Sequence, residues 1–251
     1  TISDTSGIRA SGSGGDNYCV FMANVSDITV DKVDLNSTIG YTGWGIRIEN
    51  SANNKNITIK NCKINGRYAG IYCRGGKDYT ILNNDLKNTS NDNSRPGLYL
   101  TGIRPGVLPT GVQVSGNLFG FVSSSSQTAL RVDDMDGLLI GDENVPLANI
   151  VIEDASGANS MSSSSDNAVI YLNAVSNVVV NNVDVSRSSA GRAGVGIWVE
   201  NGGSASYRNL SILNCKMQQH DMGIYVSGGR DVTLQNNDLR YSAFYQERPH
   251  S

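Results

Sequence analysis

The sequence predicts an all-β solenoid of about eight coils, with short strands stacked in parallel from one coil to the next. Three observations predict it. The unit at residues 223–239, GIYVSGGRDVTLQNNDL, recurs almost position for position at residues 70–86, GIYCRGGKDYTILNNDL. Each unit holds two runs of alternating apolar residues with little hairpin-type reversal between them, and parallel stacking satisfies the edges that a series of hairpins would leave open. Finally, Asn61, Asn83, Asn182, Asn214 and Asn236 fall at one offset after the second run. Stacked amides at such a corner bond from coil to coil and tolerate the left-handed backbone.

Taken in order, the first strands are Val20-Phe21-Met22, Ile46-Arg47-Ile48, Ile71-Tyr72-Cys73, Leu98-Tyr99-Leu100, Leu130-Arg131-Val132, Ile170-Tyr171-Leu172, Ile197-Trp198-Val199 and Ile224-Tyr225-Val226. The second strands are predicted at Ile28-Thr29-Val30, Ile57-Thr58-Ile59, Tyr79-Thr80-Ile81, Val112-Gln113-Val114, Ile150-Val151-Ile152, Val178-Val179-Val180, Leu210-Ser211-Ile212 and Val232-Thr233-Leu234. In the clearest copies an Asn corner and one more apolar residue follow the second run. The offset from first to second run is 8 in the shortest coils but 11 at Ile46, 14 at Leu98, 20 at Leu130 and 13 at Ile197, so the middle carries insertions. Loops at 102–106 and 133–146 are expected to rise on one side of the first-strand sheet, and the Ser- and Asn-rich connections 87–96, 120–128, 157–167 and 186–195 on the other. Together they would wall a groove across that sheet.

The chain is read as one elongated domain, 1–251, with the repeat over about 18–240. No amphipathic cap helix precedes the first coil and residues 241–251 are short and polar, which suits a piece of a longer spike or enzyme. A formal net charge of −3 and a sequence pI near 5.4 give no electrostatic footprint for nucleic acid and no polybasic membrane patch. No run approaches a membrane span, and no amphipathic run supports a helix of ordinary length. Cys62 and Cys215 occupy the slot that other coils fill with Asn84, Asn237 or Val183, and Cys73 an apolar strand position, so they are expected as buried free thiols. The Asn-X-Ser/Thr triplets at Asn24, Asn36, Asn56, Asn88 and Asn209 read as turns in an Asn-rich chain rather than as glycan acceptors.

Strand alternation assigns the faces. With Ile46, Ile71 and their equivalents inward, the outward column is Phe21, Arg47, Tyr72, Tyr99, Arg131, Tyr171, Trp198 and Tyr225. An aromatic row of this length suits an extended polymer, although aromatic residues also favour strands and stack on each other. Tyr72, Tyr99, Arg104, Tyr171, Trp198 and Tyr225 are the candidate substrate-binding residues. The next outward column is Ala23, Glu49, Arg74, Thr101, Asp133, Asn173, Glu200 and Ser227. Asp133 and Glu200 lie two coils apart, so about 10 Å between backbones, near the upper edge of the carboxyl separation of inverting glycosidases. Asp133, Glu200 and the neighbouring Arg131 are the candidate catalytic residues, with Arg131 stabilising a substrate carboxylate. Glu49 and Arg74 are expected to form a cross-strand ion pair. No metal is required, although the run Asp133, Asp134, Asp136, Asp142 and Glu143 offers Ca²⁺ its kind of ligand without completing a calcium-loop motif. His220, at a corner, is an exposed candidate base.

The Gly-Ile-Tyr-Val, Val-Thr-Leu and Asn-Asn-Asp-Leu patterns resemble the right-handed single-stranded parallel β-helix of the pectate-lyase-like superfamily, over about residues 18–240. That resemblance implies a fold shared by polysaccharide lyases, hydrolases, epimerases, phage tailspikes and non-catalytic surface proteins. The Asn-Thr-Asp, Gly-His-Gly and Arg-Ile-Lys signatures of the galacturonan hydrolases and the Tyr-Asp-His-His motif of alginate epimerases are absent. Two readings follow. One is an extracellular, cell-surface or virion polysaccharide-processing protein, a lyase or glycoside hydrolase, homotrimeric if it is a tailspike depolymerase. The other is a non-catalytic glycan-binding adhesin, surface repeat protein or viral fibre module.

Overall fold

The computed structural model describes residues 18–37, 43–49, 52–87, 96–103, 111–119, 128–141, 150–152, 168–186, 194–200 and 207–242. Along them run β1 (Tyr18–Met22), β2 (Ser26–Asp31), β3 (Trp44–Ile48), β4 (Lys55–Lys60), β5 (Ala69–Arg74), β6 (Lys77–Leu82), β7 (Asp85–Leu86), β8 (Leu98–Thr101) and β9 (Val112–Ser115). They continue as β10 (Asn117–Phe119), β11 (Leu130–Gly141), β12 (Ile150–Ile152), β13 (Ala168–Asn181), β14 (Val195–Glu200), β15 (Arg208–Leu213), β16 (Met222–Ser227) and β17 (Arg230–Gln235). No helix occurs among the described residues.

Every strand pairs in parallel with its equivalent one coil on, so the chain winds about an axis and its strands form three faces. On the first, Val20, Ile46, Ile71, Leu98, Leu130, Ile170, Ile197 and Ile224 are in register. On the second, Val30, Ile59, Ile81, Val114, Ile140, Val180, Ile212 and Leu234 are in register. The third is narrower: β7, β10 and β12, extended by the bridges Asp34 to Lys63 to Asp85 and Asp184 to Lys216 to Asp238. Inward residues of all three faces, such as Ile71, Ile81 and Leu86, meet in one continuous core with no exposure to solvent. Alternation puts them there, and burying such side chains stabilises each coil by about 1.5–3 kcal/mol per residue.

One predicted strand is displaced. The run 150–152 belongs to the third face, paired with β10, and not to the second. The second-face run of that coil is Leu138-Leu139-Ile140, whose Ile140 lies between Val114 and Val180. The stretch 133–137 is therefore a corner rather than the start of an insertion. Asp134 and Gly137 make it with φ of 52° and 88°, while Met135 turns into the core. Its carboxylates disguise a turn of ordinary length as a polar loop.

The Asn column forms at the expected corner. Asn61, Asn83, Asn182, Asn214 and Asn236 all adopt left-handed φ between 53° and 59°. Within the column Asn236 Nδ2 donates to Asn214 Oδ1 at 3.2 Å, whereas Asn214 Nδ2 donates to Asn181 Oδ1 at 2.9 Å and Asn61 Nδ2 to Asp31 Oδ1 at 2.8 Å, one residue before the column. The stronger ladder lies one residue further on and is buried: the Asn84 N–H donates to Asn117 Oδ1, and the Cys62 N–H to Asn84 Oδ1, both at 3.0 Å. Asn84 Nδ2 donates to Ile59 O at 3.1 Å, so this interior amide satisfies two backbone groups of the preceding coil. Cys62 and Cys215 end such ladders with Sγ at 3.2 and 3.1 Å from the carbonyls of Lys60 and Leu213. They are free thiols, buried like Cys73, whereas Cys19 is partly exposed.

Candidate functional site

The outward residues of the first face follow the predicted column: Phe21, Arg47, Tyr72, Tyr99, Arg131, Tyr171, Trp198 and Tyr225 are in register strand by strand. Each stands beside its equivalent on the neighbouring coil because parallel strands without slippage place like positions about 4.8 Å apart. The rings use that spacing on one another. Tyr72 meets Tyr99 edge-on with centroids 5.3 Å apart, Trp44 meets Tyr72 at 5.1 Å, and Trp198 meets Tyr225 at 4.6 Å. Tyr171, only 6 % exposed, lies in a small apolar cluster with Ala168, Val195 and Met222, against which Trp198 and Tyr225 pack. The row is thus not an open set of ring faces.

At the centre of the row Arg131 replaces a ring. Its guanidinium lies 5.3 Å from the centroids of both Tyr99 and Tyr171, a cation between two aromatic faces. Its Nε donates to Asp133 Oδ2 at 2.7 Å, the ordinary reach of a charge-assisted bond. Tyr99 donates its hydroxyl to the same oxygen at 2.6 Å, and Asn173 Nδ2 donates to Asp133 Oδ1 at 3.1 Å. Both oxygens of Asp133 are therefore engaged. Burial, then the hydrogen bond and charge of Asp133, push the Tyr99 phenol far above its ordinary range, so it stays protonated. Burial alone would lower the Arg131 pKa, but Asp133 outweighs it and the guanidinium holds its proton more firmly than usual.

A second tyrosine–carboxylate pair stands two coils from the first. Tyr171 donates its hydroxyl to Glu200 Oε2 at 2.7 Å, leaving Oε1 without a donor among the described residues. Asp133, Asn173 and Glu200 are in register on β11, β13 and β14, which places the two carboxylates two strand spacings apart along the axis. The Trp198 indole N–H beside them is buried with no hydrogen-bond partner among the described residues. An unsatisfied buried donor is costly, and at a candidate site it is a group that a ligand oxygen relieves.

The structure thus gathers Tyr99, Arg131, Asp133, Tyr171 and Glu200, with Trp198 alongside, and places Tyr72 and Tyr225 at the flanks. Arg104 and the rest of the expected groove-wall loop 102–106 after Ile103 lie outside the described residues, as do most of the Ser- and Asn-rich connections, Asp142 and Glu143. Asp133 is committed as above and Asp136 accepts from Asn177 Nδ2. Among the described residues no three carboxylate, His or Cys side chains stand together as a metal cage. Two expectations change. Glu49 pairs with Arg47, two residues earlier on the same face, rather than with Arg74 on the neighbouring coil. His220 is not an exposed corner base but is fully buried, its Nε2 2.7 Å from Val185 O, because the chain at Ser242 closes over it. Asn173, which holds Asp133, escaped notice as a site residue although its column position was legible.

No helix of the described residues is long and apolar enough to cross a membrane. No curated protein matches this chain. Two solved structures are similar to it. The Azotobacter vinelandii mannuronan C-5 epimerase AlgE6 A-module is 13% identical, over 88% of this chain and 65% of that one, with a TM-score of 0.40. The Streptococcus pneumoniae surface protein and adhesin PfbA is 12% identical, over 89% of this chain and 62% of that one, with a TM-score of 0.33. This chain spans less than two thirds of the length of either, and neither likeness bears on activity. With parallel strands wound about one core and residues 3–239 matching the right-handed β-helix region, the chain belongs to the right-handed parallel β-helix family.

Proposed function

We propose that the outer first face over β8, β11, β13 and β14 binds an extended acidic polysaccharide and cleaves it by β-elimination. The observation that carries this reading is Arg131, held between Tyr99 and Tyr171 and oriented by Asp133. Such a guanidinium is fixed before substrate arrives, which suits pairing with a uronate carboxylate. Charge drawn from that carboxylate acidifies the adjacent carbon-bound proton. Glu200, with an oxygen that accepts no hydrogen bond from the described residues, is the base that takes it. The electrons of the broken C–H bond form the C=C bond, the neighbouring C–O bond to the leaving sugar breaks, and the departing oxygen takes a proton from water. Asp133, engaged through both oxygens, acts as a positioning residue, which disfavours its sharing acid and base roles with Glu200 in a hydrolase. A polymeric substrate suits work outside the cell, at a cell surface or on a virion.

The second reading is glycan binding without cleavage. It is favoured by the mutual stacking of the rings and by the tyrosine bond that each carboxylate carries in the resting protein. Incubation with polygalacturonate, alginate, hyaluronate and chondroitin sulfate, following absorbance near 235 nm, reducing ends and retention of each glycan, separates the cases. Elimination predicts new unsaturated ends that Glu200→Gln abolishes. Reducing ends without that absorbance mean a hydrolase, retention alone means a binding module, and no response to any acidic polymer sinks the carbohydrate reading.

A further inference from the structure

The pairing of Glu49 with Arg47 has a consequence on β5. Arg74 lies on the outward column that also holds Asp133 and Glu200, in register with Thr101 on β8 and, through it, with Asp133 on β11. It is exposed and lies near the hydroxyl of Tyr72, on which its charge acts. Arg47 and Arg131 each pair with a carboxylate two residues further along the chain, Glu49 and Asp133. The equivalent position after Tyr72 is Arg74 itself, so among the described residues this guanidinium has no carboxylate partner. It is an exposed cation on the candidate binding face that no carboxylate among the described residues holds in a salt bridge.

We propose that Arg74, steadied by Tyr72, is a second anion subsite, which rests on the reading of this face as a binder of acidic polysaccharide. Arg74 and Arg131 are two strand spacings apart, about 10 Å along the axis. An extended 1,4-linked pyranose chain laid along the axis advances by roughly one strand spacing per sugar. Arg74 and Arg131 then meet acidic groups on sugars i and i+2. Between them β8 presents Tyr99 and Thr101 outward, so the intervening sugar is recognised by hydroxyls. The substrate class is a linear polymer with an acidic group on at least every second sugar, and the shortest oligomer that engages both arginines has three sugars.

The test uses whichever of the four acidic polymers named above the intact protein binds, compared as its disaccharide and its hexasaccharide by titration calorimetry. Wild type should bind the hexasaccharide more tightly than the disaccharide. Arg74→Gln should remove about tenfold of that gain, as expected for one charge-assisted contact, while changing disaccharide binding less than twofold. Arg131→Gln should weaken both. Because Arg74 is exposed, its variant keeps the wild-type melting temperature, so lost binding is not lost folding. Unchanged hexasaccharide affinity in Arg74→Gln, with the Arg131→Gln loss intact, overturns the second subsite and leaves the first reading standing. Failure of wild type to bind any of the polymers overturns both.

Discussion

Arg131 is 27 % exposed and Asp133 13 %, so their bond is partly screened and its value is mainly geometric. Arg131→Lys keeps the charge but loses the flat face that fits between Tyr99 and Tyr171 and the Nε that Asp133 holds. Acidic-glycan affinity should fall about tenfold by calorimetry, against little change for a neutral glycan. The cysteines test the interior. Burial raises Cys215 from its ordinary 9.0 to about 11 and drives Cys73 higher still. A thiol whose folded pKa is raised favours folding below the unfolded value, and that contribution is lost as pH climbs from about 9 towards 11. Cys215→Asn, which places in this slot the residue found at Asn84 and Asn237, should flatten that part of the stability profile measured by urea unfolding. These columns were legible because strand alternation has a fixed period. Which partner Glu49 takes was not, because it depends on rotamers that a sequence does not print.

Among the elements, the two runs per coil and their corners could be read almost to the residue, since each corner needs a residue that accepts positive φ. The exception is the run after Leu130, where charges at a corner concealed that Leu138 follows at the same offset of eight as in the shortest coils. The interior amides are the sharper test of what holds coils together. Asn117→Leu would leave the Asn84 N–H buried without its acceptor, at a cost of about 1–3 kcal/mol and a matching fall in melting temperature. Gly196 is constrained differently. A Cβ there would stand 2.6 Å from Gly223 O and 3.0 Å from Met217 Cγ, so Gly196→Ala should destabilise by about 1–3 kcal/mol in denaturant unfolding. A carbonyl of the neighbouring coil cannot move aside as a side-chain tip can.

Across the whole molecule, each coil contacts its neighbours and little else, so protection is expected to be graded rather than uniform. Leu234 on β17 is 52 % exposed, whereas the equivalent Ile212 one coil inward is fully buried. Amide exchange should therefore be fastest in β1, β16 and β17 and slowest in β9, β11 and β13; uniform protection along the axis would contradict a stack of separable coils. The same stacking that sets this gradient has also distributed two indoles, the only ones in the chain, towards opposite ends of the candidate face. Trp44 leans on Tyr72, the neighbour of Arg74, and Trp198 on Tyr225, one coil beyond the Arg131 and Tyr171 contact. Each fluorophore therefore reports on its own half of the face. Trp44→Phe and Trp198→Phe give two single-emitter proteins, and their separate intensity changes on adding a glycan would record which half is occupied first, without any label.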